Sequence, residues 1–260
     1  MKYEQNSAFL SMCSSINFER DKESATAKLS LNNWPFSNLH QPEILVLEGL
    51  NQFAVRIATA FYPDNGKKRY LPTMIEKFQI ERREFAPKLI ISGRCEMVHD
   101  SCRVICTVTT DYDDIIATAA IMVSKTLFDI LTPAFENNKL DIPVWEMERN
   151  ANIQPITAPV SFWFNSAHPI FTEHFPGYAV APGSLLIEIV LRRLMQFYPT
   201  MRTVTISRVK FVQSVRPDMQ YRLNLHFSQN DFTVSFSLCF QNSEKRAVMG
   251  KIAFKLMKGE

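Results

Sequence analysis

The stretch "HPIFTEHFPGYAVAPGSLLIEIVL", His168–Leu191, decides the fold. Glycine occurs only 7 times in 260 residues, yet two Pro-Gly pairs, Pro176-Gly177 and Pro182-Gly183, fall within eight residues here. They stand behind His174 and ahead of a run with apolar residues at Leu185, Leu186, Ile189, Val190, Leu194 and Phe197. That spacing predicts an amphipathic helix over 182–199, opened by Pro182 and closed by Pro199, with Glu188 inside it. Downstream, residues 203–217, 219–229, 231–241 and 246–257 alternate apolar and polar side chains between polar turns, the signature of an antiparallel meander.

The order repeats upstream. Residues 42–61, "PEILVLEGLNQFAVRIATAF", form the first helix pattern, followed by strand patterns at 71–85, 88–98, 102–112 and 115–125. Pro42 and Glu48 precede Pro182 and Glu188 by 140 positions, whereas setting Pro87 on Pro217 gives an offset of 130. The difference of ten is a longer helix-to-strand link, "YPDNGKKRY", where loops tolerate insertion. The pattern predicts an N-terminal unit at 1–130, a proline-bearing connector at 131–159 and a C-terminal unit at 160–260. Each unit is expected to wrap a curved antiparallel sheet around its own helix, an α+β class, and the two units to pair.

Composition sets bounds. With 46% hydrophobic and 21% charged residues the chain has the make-up of a globular protein. The most apolar run, at 42–61, is interrupted by Glu48, Asn51, Gln52 and Arg56, so a core helix is expected rather than a membrane span. The first twenty residues lack a cleavage-site pattern, and a cytoplasmic location is expected. Five cysteines without CxxC or zinc spacing read as reduced, buried thiols. A net charge of +3, with no aromatic-basic interleaving, does not suit nucleic-acid binding, and "GKKR" at 66–69 and "ERR" at 81–83 read as solvated faces. His168 and His174 have no third ligand at a metal-binding spacing, and His40, His99 and His226 have no matching partner.

Taken with its spacing, "HFPGYAVAPGSLLIE" resembles the motif of the hot-dog-fold 3-hydroxyacyl-acyl-carrier-protein dehydratases: HFPG, four residues, PG, and an acid fourteen positions after the histidine. His174, Phe175, Pro176, Gly177, Pro182, Gly183 and Glu188 fit it position for position. A second element of that family, a strand running into "PGD", is matched more loosely by "VKFVQSVRPDMQYRL", where Pro217 and Asp218 adjoin without the glycine. The resemblance covers the C-terminal half directly and the N-terminal half through the repeat, and it implies a tandem double hot-dog.

In that family the histidine of one unit works with the acid on the helix of the other. Carried over at the 140 offset, Trp34 stands at the His174 position and Glu43 at the Gly183 position, so the N-terminal half lacks both the base and the glycine-lined helix start. Its helix nevertheless reads Glu48…Gln52, the family's E-x-x-x-Q, while the C-terminal helix has Arg192 in the glutamine's place. The resemblance therefore implies one working pair, His174 with Glu48, and one degenerate pair, Trp34 with Glu188; Glu188 is the alternative acid. A neutral imidazole suits removal of an α-proton near neutral pH, and a buried carboxyl suits protonation of a hydroxide leaving group. The backbone amides of Gly183 and Ser184 are expected to meet the thioester oxyanion. Phe171, Phe175, Pro176, Gly177, Leu185 and Phe211 are expected along the acyl tunnel. One departure is Glu173, where relatives carry a small residue before the histidine.

The activity so implied is dehydration of a 3-hydroxyacyl thioester to the enoyl thioester in fatty-acid, polyketide or polyene assembly, without metal or redox cofactor. The substrate would arrive on the phosphopantetheine of an acyl carrier protein or on coenzyme A, with Arg208, Lys210 and Arg216 candidates for meeting an acidic carrier. The alternatives are a hot-dog thioesterase or CoA-linked hydratase, and a non-catalytic module that binds acyl carriers. Further association of chains stays open.

Overall fold

The structure, a computed structural model, describes residues 10–63, 68–83, 85, 88–127, 142–149, 151, 154–174, 179–217, 219–228 and 232–257. The chain divides into two compact units, Met1–Asp129 and Ile130–Glu260.

In the N-terminal unit, strands β1 (Cys13–Glu19) and β2 (Ser24–Leu29) lead into helix α1 (Pro42–Phe61). Strands β3 (Lys68–Ile80), β4 (Leu89–Val98), β5 (Ser101–Thr110) and β6 (Ile115–Leu127) follow. Every pairing is antiparallel, in the order β1-β2-β4-β5-β6-β3. Pro42 opens α1, where its missing N–H leaves no unmet bond, and the Tyr62 N–H closes the last turn on the Ala58 carbonyl at 2.9 Å. By length and composition α1 could cross a bilayer, but most of it is buried inside its own unit against β3, β4, β5 and β6. Close packing there depends on Gly93 of β4. A Cβ on it would lie 2.9 Å from both the Phe53 ring of α1 and the Ile105 carbonyl oxygen.

The C-terminal unit repeats the plan. It runs through β7 (Trp145–Met147), β8 (Val160–Phe164), a single turn α2 (Ile170–Glu173) and helix α3 (Gly183–Phe197). Strands β9 (Met201–Phe211), β10 (Gln220–Phe227), β11 (Thr233–Phe240) and β12 (Arg246–Leu256) complete it. Its order, β7-β8-β10-β11-β12-β9, is that of the first unit strand for strand. Each unit is a hot-dog, a long antiparallel sheet with one central helix, and the chain is the double hot-dog that the motif implied.

The structure refines the repeat in two places. Ile75 faces Ile121 in one unit and Ile206 faces Ile252 in the other, so within these strands the offset is 131, one more than the proline alignment gave. Strand β7 lies inside the stretch expected to be a connector, and it pairs with β8 through Trp145 opposite Phe164. The remaining strand pair missed in sequence, β1 with β2, precedes α1 as β7 and β8 precede α3.

Candidate active site

His174 ends the turn α2, its N–H donating to the Ile170 carbonyl at 3.0 Å, and its side chain is 4% exposed. A chain of short contacts fixes that turn after β8. The His168 N–H donates to the Asn165 carbonyl (3.0 Å), His168 Nδ1 accepts the Ile170 N–H (3.2 Å), and the Phe171 N–H donates to the His168 carbonyl (3.2 Å). His168 is buried, and burial lowers its pKa below the ordinary value, consistent with a neutral ring whose Nδ1 accepts. It therefore positions the turn that carries His174, a role its sequence context did not disclose because its partners are backbone groups. The side chain of Glu173 and residues Phe175, Pro176 and Gly177 lie outside what the structure describes.

The start of α3 differs from the start of α1 in the way the motif demands. Gly183 is the first residue of α3, and the Phe211 ring lies over it so closely that a Cβ would come within 2.6 Å of the ring. No acidic residue occupies the first turn of α3, and the leading amides of a helix have no partner within it. In α1 the corresponding residue is Glu43, whose carboxylate sits in the first turn and forms an ion pair with Arg83. At the position matching His174, Trp34 is 1% exposed, with its ring 4.8 Å from the His40 ring and 5.8 Å from Phe36. Aromatic packing occupies the position that matches His174 in the N-terminal unit.

The two helix acids are both buried, Glu48 at 2% and Glu188 at 0% exposure, and the residue one turn on along the helix meets each of them differently. Gln52 Nε2 donates to Glu48 Oε1 at 3.0 Å, while Gln52 Oε1 accepts the Met12 N–H at 3.1 Å, so the amide is clamped one turn below the acid. Arg192 Nε donates to Glu188 Oε1 at 2.8 Å in an i,i+4 ion pair, and the same guanidinium lies 5.5 Å from the centre of the Trp145 ring. A guanidinium pairs with a carboxylate, whereas a neutral amide accommodates either the charged or the protonated acid.

Of the expected tunnel residues, Phe171 and Leu185 are fully buried, and Phe171 meets Phe164 edge-on at 5.5 Å. One further residue emerges only from the structure: Arg193, buried on α3, donates to the carbonyls of Ala151 (2.5 Å) and Gln154 (3.4 Å) and so holds the chain that enters β8. A cavity of about 490 Å³ beside it is lined by Trp145, Glu148, Arg149, Arg192 and Gln196. Among the described residues no three His, Cys, Asp or Glu side chains group closely enough to hold a metal ion.

Residues 149–251 match the family described as ApeI-like, ApeI dehydratase, a span that includes His174, Gly183 and Glu188. No curated protein matches the chain in sequence. Among solved structures it is similar to an acyl-ACP thioesterase from Bacteroides thetaiotaomicron VPI-5482, with 15% identity and a TM-score of 0.58 over 92% of this chain and 100% of that one. It is equally similar to the dehydratase domain of PpsC from Mycobacterium tuberculosis in complex with C12:1-CoA, with 8% identity and a TM-score of 0.58 over 95% and 99%. The bifunctional dehydratase-cyclase domain in ambruticin biosynthesis gives 10% identity and a TM-score of 0.53 over 95% and 96%. At such identities these likenesses speak for the fold. The chain is thus a double hot-dog whose C-terminal unit matches the ApeI-like dehydratase family.

Proposed function

We propose that the protein eliminates water from a 3-hydroxyacyl thioester, with His174 as base and Glu48 as acid. The observation that carries this reading is the intact spacing from His174 through Gly183 to Glu188 inside the span matched to a dehydratase family. The chemistry is balanced by two groups. The imidazole takes the C2 proton, the C2–H electron pair becomes the C2–C3 double bond, and the C3 hydroxyl leaves as water after receiving the carboxyl proton. Exchange with solvent then returns the imidazole to neutrality and the carboxylate to its acid form. As the C2 proton leaves, charge builds on the thioester oxygen, and the Gly183 and Ser184 amides in the first turn of α3, which holds no acidic residue, are the donors suited to it.

Glu48 is preferred to Glu188 because a neutral amide, that of Gln52, donates to it where the Arg192 guanidinium forms an ion pair with Glu188. The acyl group is read as carried on phosphopantetheine, by a carrier protein in preference to coenzyme A, in the cytoplasm, within fatty-acid, polyketide or polyene assembly. Phe171, Leu185 and Phe211 would line its path.

A second reading, thioester hydrolysis, is favoured by the likeness to an acyl-ACP thioesterase. One assay separates them. The protein is incubated with a 3-hydroxyacyl carrier-protein thioester and products are followed by mass spectrometry. Formation of the enoyl thioester, lost by about 10²-fold or more in His174→Ala, supports dehydration. Release of free acid that survives His174→Ala supports hydrolysis, and no turnover with retained carrier binding supports a non-catalytic module.

A further inference from the structure

The outer face of the C-terminal sheet carries an uncompensated charge. Strands β9, β11 and β12 contain Arg202, Arg208, Lys210, Arg246, Lys251 and Lys255 and not one Asp or Glu. Val209 points inward, while Arg208 and Lys210 on either side of it are exposed, as are Lys251 and Lys255. Arg202 stands directly opposite Lys255 in the β9–β12 ladder, a like-charge pair that costs the sheet stability. Among the described residues none of Arg202, Arg208, Lys210, Lys251 and Lys255 forms an ion pair with a carboxylate.

Two observations bear on this face. In the N-terminal unit the counterpart strands β3, β5 and β6 are also cationic, with Lys68, Arg69, Lys77, Arg103 and Lys125, but they include one acid, Glu76, which holds Arg103 at 2.7 Å together with Glu96 of β4 at 3.0 Å, whereas β9, β11 and β12 include none. Within β9, Arg208 adopts a left-handed backbone with φ of 53°, at the point where Ser207 faces Lys251 and Lys210 faces Met249 and one extra residue bulges out of β9. A bulge re-aims a side chain, and strained backbone of this kind gathers at functional positions. At the other end of the face Phe232, Leu256 and Met257 are exposed, with Phe254 bonded to the Phe232 carbonyl between them.

We propose that this face docks the acidic acyl carrier protein that delivers the substrate, with one acidic helix of the carrier lying along β9 and β12; the proposal rests on the dehydratase reading above. From Arg202 to Lys210 the cations extend about 25 Å at the rise of a strand. That is the length of a helix of about 17 residues. The exposed apolar group at one end suits the apolar side of such a helix. Charge of one sign on the receiving surface speeds encounter and is screened by salt.

The test uses the full chain and the variant Arg202→Glu/Lys251→Glu/Lys255→Glu, whose altered side chains all lie on the outer face. Holo acyl carrier protein binding is followed by fluorescence anisotropy, and KM is measured with a 3-hydroxyacyl carrier thioester and with the matching N-acetylcysteamine thioester. The expected result is a loss of carrier affinity and a rise in carrier-substrate KM of about tenfold or more. The expected kcat and small-thioester turnover are those of the parent. Unchanged carrier affinity and KM would overturn the proposal, as would unchanged carrier binding accompanied by loss of binding to phosphatidylglycerol vesicles, which assigns the face to a lipid surface. If the parent dehydrates neither substrate, the activity fails, and the anisotropy result still decides docking by itself.

Discussion

At the residue scale, the site rests on side chains whose neighbours choose their chemical state. His168 is the clearest case. Its burial lowers its pKa from 6.5, so the unfolded chain binds the proton more readily than the folded one. The stability it contributes is therefore present above about pH 6.5, the unfolded value, and is lost as pH falls below it. We expect melting temperatures measured across pH 5 to 8 to show that acid limb, and His168→Ala to make it shallower. The same variant, losing the acceptor for the Ile170 N–H, should cost about 1 kcal/mol at neutral pH. A profile unchanged by the substitution would remove His168 from the support of His174. The sequence singled out His174 and both acids as candidates because a motif fixes side-chain types at fixed intervals. It did not disclose His168, whose bonds to Asn165, Ile170 and Phe171 are made by backbone groups that any residue types provide.

At the element scale, α1 and α3 were legible end to end because a proline marks each start and an apolar period of 3.6 fills each body. Strand β2 was missed because two of its three inward positions are the small residues Ala25 and Ala27, with only Leu29 to signal a buried face. Strand β7 is three residues long, too short for any period to show, and it exists through its pairing with β8. What ties this region to the helix is Arg193, whose guanidinium is buried and also packs 4.6 Å from the centre of the Phe197 ring. Replacing it in Arg193→Met keeps the apolar stem but strands the carbonyls of Ala151 and Gln154. Urea unfolding should then show a loss of about 1–3 kcal/mol with the m-value unchanged. An unaltered midpoint would mean that the segment before β8 is held without it.

At the scale of the whole molecule, the two hot-dogs share one plan and differ from it in opposite directions. The N-terminal unit has Trp34 at the position matching His174 and the Glu43–Arg83 pair at its helix start, yet it keeps Gln52 donating to Glu48. The C-terminal unit keeps His174, Gly183 and a first helical turn without an acid, yet has tied Glu188 to Arg192. The opposite losses were visible in the aligned sequences; the ion pair that separates the two acids became definite only with side chains in place. The central claim is that the acid which works with His174 is the N-terminal unit's Glu48. It is tested most directly by measuring kcat for enoyl-thioester formation in Glu48→Gln and Glu188→Gln side by side. The account predicts a fall of about 10²-fold or more for Glu48→Gln and a change within about threefold for Glu188→Gln; loss of activity in Glu188→Gln with Glu48→Gln near the parent rate would contradict it.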